Sequence, residues 1–156
     1  MTECSDPTIS PLQAHLGYHL RLLSNAVSRA FALKLATVDI TVAEWVILRE
    51  MYSFVEGTSP SALAQHTGLT RGTVSKLVDR LLVKGVMTRS ASTSDRRYQA
   101  IELTKLGRDL VPRLAQLADE NDAEFFSELD TKERQFLLDI LLKLAGMHGL
   151  NQPPID

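Results

Sequence analysis

The sequence has 156 residues, a net charge of −2 and 44% hydrophobic residues, which is ordinary for one globular domain. It has no basic segment followed by an apolar run at its start and no apolar stretch of membrane-spanning length. We therefore expect neither a signal peptide nor a transmembrane helix, and we expect a cytoplasmic protein. The single cysteine excludes an internal disulfide and is typical of a reducing compartment. Few aromatic residues and many Leu, Ala and Val predict a mainly α fold.

The first predicted helix follows a loose arm at residues 1–9. Ser10–Pro11 predicts its start, because serine is a good N-cap and proline suits the first helical position. A long stripe of apolar residues then recurs every three or four positions to about Ala36: Leu12, Leu16, Leu20, Leu23, Val27 and Phe31. So long a helix exceeds the needs of a small core, and we expect part of it to form a dimer interface.

Three further helix starts follow. Thr41 and Glu44 have the spacing of a capping box, which predicts a helix to about Met51 with the only tryptophan, Trp45, in its first turns. Ser59–Pro60 predicts a short third helix, and Thr70 caps a fourth. Gly68 between them permits a sharp turn, so this stretch is typical of a helix-turn-helix that reads DNA.

The fourth helix has two chemically different faces. Val74, Leu77, Val78 and Leu81 recur with helical spacing and are expected to point inward. Small polar residues and cations are left outward, which suits the major groove of DNA. Gly72 costs about 1 kcal/mol relative to alanine within a helix, and close approach to a bulky ligand would explain it. The alternative is an ordinary solvated surface helix.

A short hairpin is predicted after this helix, which ends at Lys84–Gly85. Residues 86–91 and 98–103 resemble two short strands around a polar loop. Arg97 at the loop is our candidate for insertion into a minor groove, with Asp95 orienting it and Arg96 on a phosphate. The alternative is a solvent-exposed loop in which Asp95 pairs with a neighbouring arginine.

Charge is unevenly distributed along the chain. Residues 71–98 contain seven basic and two acidic residues, and the rest of the chain contains ten basic and seventeen acidic residues. This polarity predicts one cationic face directed at a polyanion, with the remainder repelled by phosphate.

Two more helices are predicted after the hairpin. Thr104 caps the first, which contains Pro112 and ends in an acidic stretch that we interpret as a solvated face. Asp130 and Glu133 form a capping box for the second, whose apolar stripe matches that of the first helix in the chain: Phe136, Leu137, Ile140, Leu141, Leu144 and Met147. Two subunits joined through these end helices would hold two DNA-reading elements about 34 Å apart, one turn of DNA, on a pseudo-palindromic operator.

These motifs together resemble the MarR family of bacterial winged helix-turn-helix transcription regulators. The resemblance rests on the run from Thr70 to Leu81, on Lys84–Gly85–Val86, on Asp95–Arg96–Arg97, and on Leu103–Thr104. It implies a mainly α, dimeric winged helix-turn-helix fold with a two- or three-stranded antiparallel wing, and a DNA-binding repressor released by a small molecule or an oxidant. The DNA-contacting residues that it implies are Arg71, Thr73, Ser75, Lys76, Arg80, Asp95 and Arg97. Our further candidates for DNA contact are Ser61, Gly72 and Arg96.

The resemblance also implies a domain plan and an effector site. The whole chain, 1–156, is expected to form one domain, with dimerisation helices at 10–36 and 125–150, a winged motif at 40–103 and a connecting helix at 104–128. An effector, aromatic or phenolic, would bind between the dimerisation helices and the winged motif, near Tyr18, His19, Arg21, Ser24 and Trp45. Arg21 would pair with a ligand carboxylate. The alternative is that Trp45 is core and Arg21 a surface ion-pair partner.

Other chemistry has weak support. His15 and His19 are four residues apart but have no evident third metal ligand, and Cys4 has acidic neighbours that discourage a thiolate. No phosphate loop, nucleophile elbow or Cys/His cluster is present, so we expect no enzyme, no cofactor and no metal. The rival functions are a protein-interaction module and a sequence-tolerant architectural DNA binder.

Overall fold

The computed structural model describes residues 9–91 and 99–155, and these form helices and one antiparallel hairpin. This confirms the predicted fold class, a mainly α winged helix-turn-helix. The elements are a 3-10 turn at Leu12–Ala14, α1 Leu16–Ala36, α2 Val42–Met51, α3 Pro60–Thr67, α4 Arg71–Val83, β1 Met87–Ala91, β2 Gln99–Leu103, α5 Lys105–Phe125 and α6 Thr131–Met147.

Side-chain caps begin five of the helices, as predicted. In each case a hydroxyl or carboxylate oxygen accepts a hydrogen bond from a backbone N–H in the first turn, where no intrahelical partner exists. In α2 and α6 a glutamate completes a capping box by accepting from the N-cap N–H. The N-caps of α2 to α6 are Thr41, Ser59, Thr70, Thr104 and Asp130.

The predicted start of α1 at Ser10–Pro11 was wrong. Pro11 is extended with ψ 148°, a single 3-10 turn follows, and His15 is again extended before α1 begins at Leu16. The ring Nδ1 of His15 lies 3.2 Å from the Pro11 carbonyl oxygen, and Nε2 of His19 lies 2.8 Å from that of Gln13. These imidazoles bind carbonyls that a continuous helix would have paired, and no buried contact favours the helix there.

The core lies between α2, α4, α5 and the hairpin, with the end of α1 closing one side. Its fully buried side chains include Leu48 of α2, Leu81 of α4, Ile101 of β2 and Leu114 of α5. Leu35 is the buried residue that α1 contributes, and α6 contributes none. The two end helices of the chain are therefore largely outside this core.

The hairpin is a two-stranded antiparallel sheet in which Met87 pairs with Leu103 and Arg89 with Ile101. Thr58 adds one bridge to Ile101, with N···O distances of 3.0 and 2.8 Å. The wing thus has two strands, and the third is reduced to a single residue. Thr58 fixes the hairpin to the segment that leads into α3.

Two close approaches involve glycines. Gly107 in the first turn of α5 lies so near the hairpin that a Cβ would collide with the carbonyl oxygen of Val86. Gly68 ends α3 in the left-handed region, with φ 71°, and the side chain of Gln152 lies against it. The segment after α6 therefore runs back to the turn between α3 and α4. Within the described ranges, none of the helices is long and apolar enough to cross a membrane.

Candidate nucleic-acid interface

The helix-turn-helix is formed by α3, a turn at Gly68 and α4. Left-handed backbone at Gly68 reverses the chain at little steric cost, since glycine has no Cβ. Thr70 then caps α4 through the backbone N–H of Thr73, at 3.2 Å. Its hydroxyl also lies 2.9 Å from the Thr73 hydroxyl. The turn and the cap together fix the direction in which the first turn of α4 points.

The two faces of α4 differ as the sequence predicts. The four inward apolar residues, Val74 to Leu81, are buried in the core. Polar and cationic side chains cover the opposite face. Thr73 is half-buried there and Ser61 of α3 is half-buried, whereas the other candidate DNA contacts of this helix are exposed: Arg71, Gly72, Ser75, Lys76 and Arg80.

Two of the seven basic residues in 71–98 form ion pairs within the protein. Lys84 Nζ lies 3.0 Å from a carboxylate oxygen of Glu44, and Arg89 Nη2 lies 2.8 Å from Asp79 Oδ1. No carboxylate in the described ranges lies within ion-pair distance of Arg71, Lys76 or Arg80. These three side chains therefore supply the positive charge that α4 directs at solvent.

Glu44 has a role that the sequence did not reveal. Its side chain is 1% exposed, and Oε2 accepts hydrogen bonds both from the Thr41 N–H at 2.9 Å and from Lys84 Nζ. Lys84 also donates to the carbonyl oxygen of Asp39. The end of α4 is thereby bound to the start of α2. The capping-box spacing identified Glu44, but only the fold brings Lys84 to it.

The predicted wing contacts fall outside the described residues. Asp95, Arg96 and Arg97 lie in the 92–98 loop. The two strands on either side of that loop are paired as predicted, and Arg89 of β1 ties the hairpin to Asp79 of α4. The hairpin and α4 therefore form one unit.

A cleft of about 340 Å³ lies between α1, α2 and α5, which we call the α1–α2–α5 cleft. Two of its lining residues, Phe31 and Trp45, have rings that meet edge to face, with centroids 6.4 Å apart. Of the five predicted effector residues, Trp45 lines this cleft. Tyr18, half-buried, and His19, Arg21 and Ser24, all exposed, do not. The lining residues are Val27, Ser28, Phe31, Val42, Trp45, Val46, Ala118, Asp119, Asn121, Asp122 and Pro154.

Sequence reasoning missed most of this lining. Val27 and Phe31 belong to the apolar stripe of the first helix, and helical spacing alone does not distinguish a cleft wall from a core. Asp119 and Asp122 were interpreted as part of a solvated face. They are exposed, but they also border the cleft.

The candidate metal ligands are not brought together. His15 and His19 each contact a separate backbone carbonyl, and no group of three or more His, Cys, Asp or Glu side chains converges within residues 9–91 and 99–155. Cys4 lies outside the described residues.

Comparison with known proteins agrees with this geometry. Residues 38–97, which span α2 to the wing loop, match the MarR family. A protein of Thauera aromatica, named as a transcriptional regulatory protein for the hcr operon, is 29% identical over 133 residues, covering 85% of this chain and 80% of that protein.

Solved structures of two regulators are also similar. MepR of Staphylococcus aureus in complex with DNA matches with a TM-score of 0.74 and 26% identity, over 85% of this chain and 98% of MepR. BpsR of Bordetella bronchiseptica, whose DNA binding is regulated by 6-hydroxynicotinic acid, has the same fold. The match has a TM-score of 0.72 and 23% identity over 88% of this chain and 97% of BpsR. The exposed cationic face of α4, the paired wing strands and these likenesses together make the chain similar to the MarR family of winged helix-turn-helix transcription regulators, whose model matches residues 38–97.

Proposed function

We propose that this protein is a homodimeric, sequence-specific DNA-binding repressor that acts in the cytoplasm and is released from its operator by a small ligand. It acts by binding, and we assign it no catalytic role. The observation that carries the proposal is the exposed charge of α4: Lys76 and Arg80 on its outer face and Arg71 in its first turn are exposed, while its apolar face is buried.

The outer face of α4 suits a major groove. Gly72 and Ser75 are small, so the helix backbone can approach base edges closely, while Lys76 and Arg80 can reach phosphates or guanine. The wing loop would enter the adjacent minor groove through Arg97, with Ser61 and Arg96 on the phosphate backbone.

Dimerisation would use the apolar surface that the core leaves uncovered. Leu16 of α1 is 89% exposed and Phe136 of α6 is 68% exposed, and the residues one turn further along these helices are exposed as well. Contiguous apolar surface of this kind marks a protein interface. A second copy with the same two helices would cover it by two-fold symmetry and place two winged motifs on one operator.

Release by a ligand would start at the α1–α2–α5 cleft. Its walls belong to α1, which reaches the proposed dimer interface, to α2, which packs against α4, and to α5, which packs against β2. A ligand that fits the cleft better in one arrangement of these helices favours that arrangement. The spacing of the two α4 helices would then no longer match one turn of DNA.

Binding to duplex DNA over a salt series is the first test. We expect the logarithm of affinity to fall linearly with the logarithm of salt concentration, with a slope of about −0.9 for each phosphate contacted. A flat response in fluorescence anisotropy would instead support a protein-interaction module.

Single substitutions separate specific readout from architectural binding. Lys76→Ala and Arg97→Ala should each weaken binding to a duplex selected from a random pool by about tenfold, and at least one should reduce its preference over random duplex. Lys105→Ala is the matched control, because Lys105 pairs with Asp109 on α5 and is not among the proposed contacts. Unchanged selectivity in both test variants would favour a sequence-tolerant binder.

A further inference from the structure

We infer that the ligand of the α1–α2–α5 cleft is an aromatic cation, such as an aryl amidine or an arylalkylamine, and not an aromatic acid. The inference rests on the proposed function of the cleft as the effector site and adds the charge of the ligand. It follows from three features: the volume of the cleft, the aromatic rings in it, and the sign of the charges at its border.

The cleft has the size and surface of a small-molecule site. Its volume of about 340 Å³ lies at the lower end of the range for ligand pockets, about 300–1,000 Å³. Val27, Val42 and Val46 make most of the surface apolar, and the side chains of Phe31 and Trp45 supply two rings. One flat ring with a short polar head fits this space.

The border of the cleft is negatively charged. Asp119 and Asp122, one helical turn apart on α5, are its ionisable lining residues, and no lysine, arginine or histidine lines it in the described ranges. Neither aspartate has an ion-pair partner within the ranges that the structure describes. A carboxylate ligand would meet two like charges, whereas an amidinium could donate charge-assisted hydrogen bonds to one or both.

Two cations near this part of α5 are already engaged elsewhere. Arg134 of α6 donates to the backbone carbonyl oxygens of Asp122 and Ala123. Lys34 of α1 lies 2.7 Å from Glu124 Oε2 and donates to Asn121 Oδ1 at 3.3 Å. Asn121 is 3% exposed, and its amide donates in turn to the carbonyl oxygen of Val27. This network fixes one wall of the cleft and leaves Lys34 little freedom to neutralise a bound acid.

The partial positive charge at the start of α2 does not reverse the preference of the cleft for a cation. A helix N-terminus carries partial positive charge, and Val42 and Trp45 of the first turn line the cleft. The Glu44 carboxylate lies in that same turn and accepts from the Thr41 N–H, so the end of the helix is already compensated. The Trp45 ring, by contrast, attracts a cation over its face.

The test uses three probes of one shape and different charge. Benzamidine is a cation, benzamide is neutral and benzoate is an anion, and each has one ring and a planar head group. Binding to the full-length protein would be measured by calorimetry and by the fluorescence of Trp45, the only tryptophan. We expect benzamidine to bind about tenfold more tightly than benzamide, and benzoate to bind more weakly than benzamide.

Variants of α5 assign the effect to the cleft. Asp119→Asn and Asp122→Asn should each weaken benzamidine binding, together by about tenfold, while benzamide binding is unchanged. Glu120→Gln is the matched control, since Glu120 lies on the same helix, accepts from Gln116 and does not line the cleft. Glu120→Gln removes one charge from the same helix, and we expect less than a twofold effect on benzamidine binding at physiological salt.

Benzoate binding as tightly as benzamidine would overturn the inference, as would the absence of binding by all three probes. An effect of Glu120→Gln equal to those of the two aspartate variants would also overturn it, because the net charge of the protein would then explain the preference for a cation.

The comparison of the three probes uses only the unmodified protein, so it does not depend on whether a variant folds. Duplex DNA binding is measured on the same samples: intact DNA binding with no cation preference rejects this inference alone, and loss of DNA binding rejects the proposed function.

Discussion

Two glycines lie in the first turns of helices, but the packing of the folded chain explains only one of them. Gly72 lies in the first turn of α4 and Gly107 in the first turn of α5. A Cβ on Gly72 would meet open space, whereas a Cβ on Gly107 would meet the Val86 carbonyl. The first glycine is therefore unexplained by the folded chain alone, and the second is required by it.

Gly72→Ala should stabilise the protein and weaken DNA binding. Alanine restricts the unfolded chain and favours the helix, so we expect the free energy of unfolding to rise by about 0.5 kcal/mol. The added methyl group would hold the helix backbone away from the groove and lower DNA affinity. Urea denaturation and fluorescence anisotropy measure the two effects. Unchanged affinity for DNA would show that Gly72 does not lie in the DNA interface.

Gly107→Ala should destabilise the protein by about 1–3 kcal/mol, because either α5 or the hairpin must move to accommodate the new methyl group. The measurement is again urea denaturation, with Gly72→Ala as the matched control in an equivalent first turn. A stability equal to that of the unmodified protein would mean that Gly107 does not lie against the Val86 carbonyl.

The sequence predicted the residues whose roles are local. Thr41, Ser59 and Thr70 each accept from an N–H three positions away, so their spacing is sufficient to identify them. Gly107 was not identified, since its requirement comes from Val86, which only the fold brings close. Asp119 was assigned to a solvated face for the same reason: the aromatic rings it borders belong to other helices.

The orientation of α4 depends on a contact with α2. The buried Glu44 carboxylate holds Lys84 at the last turn of α4, and Arg89 holds the hairpin to Asp79 of the same helix. Buried ion pairs contribute modest net stability but are costly to break on one side. We therefore expect this pair to position the reading helix more than to stabilise the domain.

Lys84→Met should lower the free energy of unfolding by about 2 kcal/mol, because a buried carboxylate loses its partner. Adding Glu44→Gln should recover part of that loss, with a coupling of about 1 kcal/mol or more in a double-mutant cycle. DNA affinity should fall in both variants. The control is Lys105→Met, whose exposed pair with Asp109 should contribute little to stability because solvent screens it. Additive effects of Lys84→Met and Glu44→Gln would show that the pair does not act as a unit.

The beginning of α1 shows where element prediction fails. Ser10–Pro11 has a good helix-start pattern, yet the chain stays extended at Pro11 and His15. Propensity alone is a weak preference, and most helical stability comes from packing of an apolar face. Leu12 and Leu16 are exposed in the single subunit, so little packing there favours the earlier start.

For the whole molecule, the apolar faces of α1 and α6 predict dimerisation. Leu141→Lys combined with Leu144→Lys should convert the dimer into a monomer at micromolar concentration, since two charges would be placed in an apolar interface. DNA affinity should fall about a hundredfold or more, because one half-site would bind without the other. Analytical ultracentrifugation and anisotropy measure these effects.

Val55→Lys provides the control for that experiment. Val55 is exposed in the loop between α2 and α3, outside both end helices, and its substitution should leave the dimer intact. If the unmodified protein sediments as a monomer at micromolar concentration, the dimeric arrangement is wrong.

The segment after α6 constrains how such experiments are built. Gln152 lies against the Gly68 turn and Pro154 lines the α1–α2–α5 cleft, so a fluorescent label attached to residues 152–154 would lie beside both. Such a label would obstruct the cleft and disturb the reading helices at the same time, and would imitate the very loss of DNA binding that a ligand is expected to cause. Labels for titrations therefore belong away from this segment.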